Sequence, residues 1–272
     1  MFPGVDGFHW TFGHVFFVCA FMAVLTCIAS SVAVAFARVK TAVSDERADG
    51  LRWESDFKDL PSRARRCRHE LTGEIMHREC PNSFDCRRCT HHPYFKQAVP
   101  GSEKDEYFGL HYPRERFYHR GHTWVELQPD GTALVGLDEF ANRVIGRAEV
   151  VHLPAPGSRV VNNGTAWRME RDGAEVRVLA PLDGEVTAIG GPDDGWYLRV
   201  GPLPSPPDLR HLLHGSEVEA WIRRELERLQ LLVTQPCAEP ALADGGELGE
   251  NVIESCPLPH RDLIIGAVLL DP

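Results

Sequence analysis

Four cysteines, Cys67, Cys80, Cys86 and Cys89, fall within 23 residues of one another, and their spacing poses the first chemical question. The last pair forms Cys86-Arg87-Arg88-Cys89, a C-x-x-C turn that presents two sulfurs together. Thiolates bind tetrahedral Zn²⁺ at about 2.3 Å, so four thiols in one short segment predict a structural zinc site. A second C-x-x-C turn is absent, and His69, His77, His91 and His92 are candidates to replace one sulfur. Pro81-Asn82-Ser83 supplies turn chemistry, and Phe84, Tyr94 and Phe95 could form a miniature core. So short and polar a segment struggles to fold alone, and a metal supplies what its core cannot. The same residues also fit a thiol switch whose neighbouring arginines lower the thiolate pKa, or free cysteines, or an iron–sulfur site. On an oxidising side of a membrane they are expected as disulfides instead.

The cysteines sit in a polar stretch that follows a strongly apolar one. Between Asp6 and Arg38 there is no Asp, Glu, Lys or Arg. Residues 15–37 are nearly all hydrophobic or small, and at about 1.5 Å per residue they span roughly 34 Å, enough for a hydrocarbon core of about 30 Å. A cleaved signal peptide is the competing reading, but the flank before the run carries Asp6 and no basic side chain, and the run is too long. Residues 1–40 are therefore expected to be a retained single-pass anchor. Arg38 and Lys40 just after it favour an outside N-terminus and a cytoplasmic body. Cys19 and Cys27 within the span read as apolar fillers, and His9 and His14 as interfacial residues near its outer end. Residues 41–104 form the Cys-rich segment, where Arg63, Arg65, Arg66 and Arg68 could meet anionic headgroups or simply a solvated surface with Asp56, Asp59 and Glu70.

Beyond a linker at residues 103–110 the pattern turns to short strands. Thr123-Trp124-Val125-Glu126-Leu127 alternates, Pro129-Asp130-Gly131 turns, and residues 133–137 return. Asp138 can cap a short helix with Phe140, Ala141, Val144 and Ile145 on one face and Gly146 ending it. Further strands are expected at residues 149–153, 175–179, 185–189 and 196–200. A last helix opens with Ser216 and Glu219 as a capping box and buries Val218, Trp221, Ile222, Leu226 and Leu229. Residues 112–234 thus make a compact, mainly β domain. A tail at 235–272 holds Cys237 and Cys256, read as unrelated thiols, and ends in an apolar, strand-like run at residues 263–270.

These residues carry a resemblance. Tyr118-His119-Arg120-Gly121-His122-Thr123-Trp124-Val125, Asp130-Gly131-Thr132 and Val135-Gly136-Leu137 resemble the opening of the glycine cleavage system H protein family. The likeness continues through Phe140-Ala141, Gly146, Val151-His152-Leu153-Pro154, Pro156-Gly157-Ser158-Arg159-Val160, Ala180-Pro181-Leu182-Asp183-Gly184-Glu185-Val186 and Gly195-Trp196-Tyr197-Leu198-Arg199-Val200. It covers about residues 117–232, in the family's order. The resemblance implies a lipoyl-domain-like barrel-sandwich hybrid with a short inserted helix and a C-terminal helix. It also implies a lipoate-bearing lysine in a Glu-Ser-Val-Lys type motif, whose arm ferries an aminomethyl group between glycine-cleavage enzymes. Counting back from Ala180-Pro181 places Glu170-Arg171-Asp172-Gly173 on those four positions, so the lysine position is Gly173. No lysine occurs anywhere from residue 105 to 272. No lipoate is therefore expected, because arginine cannot form the amide that attaches it. Asp172-Gly173 is also simply a favoured hairpin pair.

With 29 Lys+Arg against 39 Asp+Glu the net charge is −10, which gives no global pull toward nucleic acid. No nucleophile–base pair or phosphate loop stands out, so an enzyme is not expected. The expected function is a membrane-tethered, H-like docking or assembly subunit whose partner is a glycine-cleavage component or another membrane complex. The alternatives are a zinc- or redox-responsive regulator acting through the four cysteines, and an aminomethyl carrier, which Gly173 disfavours.

Overall fold

The computed structural model describes residues 9–44, 47–95, 104–171, 173–204, 206–233 and 248–272. The chain divides into two compact units, Met1–Ala48 and Asp49–Pro272. Helix α1, Phe12–Ser44, makes up the first, and its stretch Phe12–Val34 is long and apolar enough to cross a membrane. Its few polar side chains turn back on their own helix: Ser30 donates to the Thr26 carbonyl at 2.6 Å and Ser31 to that of Cys27 at 2.8 Å. Phe16, Phe17, Phe21 and Ile28 are exposed along it.

Most of α2, Arg47–Asp59, belongs to the second unit. Trp53, Phe57 and Leu60 lie at helical spacing, and all three are buried. They pack with Ala64, Cys80 and Phe84, and also with Leu179 and Leu270 from much later in the chain. The Phe57 and Phe84 rings meet edge to face at 5.0 Å. Phe84 does sit in a small core, but one built with α2 and two leucines from elsewhere; the side chains of its expected partners Tyr94 and Phe95 lie outside the described ones. Tyr94 and Phe95 close the short helix α4, His92–Phe95, which follows α3, Arg68–Leu71.

Eleven strands follow among the described residues. A hairpin of β1, Glu106–Tyr107, and β2, Leu110–His111, precedes β3, Arg116–Tyr118, β4, Thr123–Leu127, and β5, Ala133–Leu137. Asp130 accepts from the Thr132 N–H at 3.0 Å and Gly131 takes φ +81°, which makes the expected turn between β4 and β5. Helix α5, Glu139–Ile145, is capped by Asp138, which accepts from the Ala141 N–H at 2.9 Å, and stops at Gly146 with φ +71°. Strands β6, Val150–His152, β7, Arg159–Val160, β8, Thr165–Arg171, β9, Ala174–Leu179, β10, Gly184–Gly191, and β11, Trp196–Val200, complete the set. They form a six-stranded antiparallel sheet in the order β3-β4-β5-β11-β10-β7 and a three-stranded sheet β6-β8-β9. The inner faces meet in one core that holds Trp124, Phe140, Trp167, Val178, Leu198 and Trp221. The expected mainly β, H-protein-like architecture with a short inserted helix is present.

Helix α6, Ser216–Val233, buries Val218, Trp221, Ile222, Leu226 and Leu229 as its spacing requires. Its expected capping box is not formed by Glu219, which pairs with Arg223 at 3.0 Å. Glu217, one residue from the start, faces inward and is bonded to Arg68. The run at residues 263–270 is not a strand but most of helix α7, Leu258–Leu269. A short apolar run carries no period that separates the two, and Pro259 in the first turn starts the helix. Cys256 just before it is disulfide-bonded, contrary to the reading of unrelated thiols; Cys237 lies outside the described residues.

Candidate functional site

The backbone brings the four cysteines together in two pairs. An antiparallel bridge between Arg66 and Glu79 sets Cys67 opposite Arg78 and Cys80 opposite Arg65, so that alternation puts both cysteines on one face of the bridge. The Cys67 N–H donates to the Arg78 carbonyl at 2.8 Å, and the Cys80 N–H to that of Arg65 at 2.7 Å. The chain then reverses through Ser83 and Phe84, both at positive φ, and the Phe84 N–H points at the Cys80 Sγ at 3.3 Å. Asp85 opens a single 3-10 turn over Cys86–Arg88 by accepting from the Arg87 N–H, and Cys89 closes it onto the Cys86 carbonyl at 3.3 Å. All four cysteines line one cavity of about 10 Å³, together with Arg68, His69, Asp85, His92, Arg120 and His211. As the side chains stand, no group of three or more His, Cys, Asp or Glu among the described residues is set to hold a metal ion. His77 and His91 do not line the cavity; His69 and His92 do, bonded to each other at 3.0 Å.

Burial dominates the sulfur chemistry here. It pushes the Cys67 thiol up, and pushes Cys86 up to about 11 although Arg68 beside it acts in the opposite sense. At Cys67 and Cys86 the expectation that neighbouring arginines activate the thiol is not met, because the desolvation of a thiolate outweighs the attraction of the nearby guanidinium.

Residues of the β domain hold the Cys-rich segment in place. Buried Arg68 forms a two-pronged ion pair with Glu217 at the start of α6, with its Nε at 3.1 Å, and donates to the Arg210 carbonyl at 2.6 Å. Arg87 pairs with Asp183 at 2.5 Å, and Arg177 with Asp56. Arg120 inserts from the β3–β4 connection, donates to the Arg66 and Ala64 carbonyls, and lies 4.1 Å from the Phe84 ring centre. Asn163 donates to the Ser83 carbonyl at 2.9 Å. The segment and the β domain are accordingly parts of one compact unit.

The other candidate position is the β8–β9 hairpin. Its register pairs Glu170 with Glu175 and Arg171 with Ala174. Gly173 is exposed at φ +79°, and a Cβ added there meets nothing within 4 Å. The tip has space for a side chain, but it offers no amine on which lipoate could be held, so the residues present do not fit that group. Glu170 pairs with His152 at 2.5 Å. Arg171 is drawn back from the tip, donating to the Arg147 carbonyl at 2.9 Å and to Glu254 at 2.7 Å. Asp172 lies outside the described residues.

The four cysteines that sequence spacing singled out line one cavity, and spacing gave no sign of Arg68, Arg120 and His211 beside them. These contacts bridge long stretches of chain, 149 residues for Arg68 and Glu217, and leave no local pattern. One signal was available: Trp53, Phe57 and Leu60 at i, i+4 and i+7 mark the buried face of α2.

Comparison with known proteins matches residues 116–191 to the family described as glycine cleavage H-protein. The "Glycine cleavage system H protein" of Nitrosospira multiformis is 36% identical over 125 residues, 42% of this chain and 96% of that protein. The protein of the same name from Psychrobacter is 32% identical over 121 residues, 40% of this chain and 95% of that one. A crystal structure of a glycine cleavage system H protein from Mycobacterium marinum aligns with 33% of this chain and 85% of its own at 23% identity and a TM-score of 0.30.

Proposed function

The chain belongs to the glycine cleavage H-protein family, and from that premise we propose that it is a docking or assembly subunit that keeps the family's fold without its arm. One observation carries this reading. The hairpin tip that the family resemblance makes the lipoyl position is Gly173, and residues 105–272 contain no lysine at all. The β8–β9 ladder runs out to the Arg171–Ala174 pair, and Gly173 beside it takes a positive φ. What has changed is the chemistry, not the scaffold.

Helix α1 makes the subunit a single-pass membrane protein in this reading. Arg38 and Lys40 follow its apolar stretch, which by the positive-inside rule puts the body in the cytoplasm. The disulfide at Cys256 pulls the other way, since disulfides persist mainly in oxidising compartments. The charge rule bears directly on insertion and sets the orientation proposed.

Affinity purification of the full chain from gently solubilised membranes tests the docking role. A partner in fixed ratio to the chain, either a glycine-cleavage enzyme or a subunit of another membrane complex, is expected. A chain recovered alone under conditions that keep known membrane complexes together contradicts it.

A further inference from the structure

Arg120 is a buried cation with no ion pair in direct contact; the opposite charge that acts on it most is buried Glu225, which itself pairs with Arg228. Arg120 is 7% exposed, and among the described residues no carboxylate lies within ion-pair distance of it. Its hydrogen bonds go to the neutral Arg66 and Ala64 carbonyls, and its Nε has no partner. Isolated charges are costly in a protein interior, and a buried guanidinium is normally matched by an anion. Arg120 lines the four-cysteine cavity. So does His211, 4% exposed, whose Nε2 meets the Pro181 carbonyl at 2.7 Å while its Nδ1 is unpartnered. Two buried polar groups thus lack partners beside four thiols and a void of about 10 Å³.

The geometry points to a single Zn²⁺ bound by Cys67, Cys80, Cys86 and Cys89, with Arg120 as the counter-charge of the site. Zn²⁺ with four thiolates carries a net charge of about −2, which sets a second anion beside Arg120 in addition to Glu225. Arg68, already paired with Glu217, also reaches Cys86. The Phe84 N–H that already faces the Cys80 Sγ suits a thiolate better than a thiol. The void suits one ion rather than a multi-iron cluster. As neutral thiols the side chains rest as small apolar fillers, and rotation between staggered χ1 positions turns them inward. Binding releases four protons, one from each thiol. The metal then ties the Arg66–Glu79 bridge, which carries Cys67 and Cys80, to the Cys86–Cys89 turn and, through Arg120, fastens the segment to the β domain. Position in the fold, rather than the length of the segment, makes the site.

The full chain in mild detergent, purified with a reductant and without chelator, provides the test. Elemental analysis is expected to give about one zinc per chain. Replacement of the metal by Co²⁺ is expected to bring the visible bands of tetrahedral cobalt and a thiolate-to-cobalt charge-transfer band. The Cys86→Ser/Cys89→Ser variant loses both metal and bands, whereas Cys19→Ser/Cys27→Ser keeps them. Cys89→His, which keeps four ligands and so does not depend on the fold surviving without metal, serves as the second: it retains metal and shifts the cobalt spectrum toward nitrogen ligation. The proposal is overturned by a folded native chain that takes up neither Zn²⁺ nor Co²⁺, by iron in place of zinc, or by mass spectra showing these four cysteines joined as disulfides.

Discussion

His119 and Asn163 form a relay across the boundary between the β domain and the Cys-rich segment. The Nδ1 of His119 accepts from the Gly121 N–H at 3.0 Å, so its Nε2 carries the proton and donates to the Asn163 Oδ1 at 2.8 Å. Asn163 in turn donates to the Ser83 carbonyl. The relay works only with a neutral imidazole, and burial pushes His119 down to about 3.

That relation fixes a pH dependence. An unfolded histidine titrates near 6.5, so below that pH the unfolded chain binds a proton that folded His119 refuses. Its contribution is complete above about pH 6.5 and falls at about 1.4 kcal/mol per pH unit as the pH drops toward 3. His119→Gln can keep a donor toward Asn163 and removes the proton. Urea titrations at pH 6.5 and 5 are expected to show the native chain losing about 2 kcal/mol more than the variant. Equal losses contradict the assignment.

The Arg68–Glu217 pair is predicted to hold the segment against α6. Removing one member leaves a buried charge alone, so Glu217→Ala should cost about 3–5 kcal/mol. Arg68→Met/Glu217→Met should cost distinctly less than the two single changes added together. A double-mutant cycle by chemical denaturation reads this coupling, and strict additivity means the pair is not formed.

Trp221 is fully buried, stacked 4.7 Å from His122 and close to the rings of Tyr112 and Tyr118. Trp221→Ala should destabilise the unit by about 3–5 kcal/mol. A change well under 1 kcal/mol in thermal or urea unfolding means α6 is not docked.

The anchor was legible because nothing in the first 37 residues except Asp6 is charged, and α5 because its cap, Asp138, and its stop, Gly146, are local signals. Strand β8 was not read. Its ladder with β9 shifts register between Thr165 and Trp167, which breaks the alternation that marks a strand. Helix α7 was taken for a strand because its apolar residues contact β9, α5 and α6 and leave little polar face to reveal a period. The cysteines were legible as a group, whereas Arg120 and His211 owe their place to packing between distant segments, which spacing along the chain does not encode.

Membrane anchoring predicts that the intact protein stays in the membrane fraction after carbonate washing, while a form starting near Asp45 is soluble. Protease added to intact cells should spare the body and degrade it only after permeabilisation. Recovery of the native protein in a soluble compartment, cleaved near Ala37, contradicts the anchor. Degradation in intact cells places the body outside, on the side the Cys256 disulfide favours.

The loss of the arm is tested most directly by intact mass spectrometry after incubation with lipoate, ATP and a lipoate ligase. The native chain is predicted to gain no lipoyl mass. Gly173→Lys places an amine at the exposed tip, at a cost of about 1 kcal/mol for a side chain at positive φ, and is expected to accept one lipoyl group where the ligase tolerates the flanking Arg171 and Asp172. A lipoyl adduct on the native β domain would contradict the account, because it would restore the carrier that Gly173 is held here to have abolished.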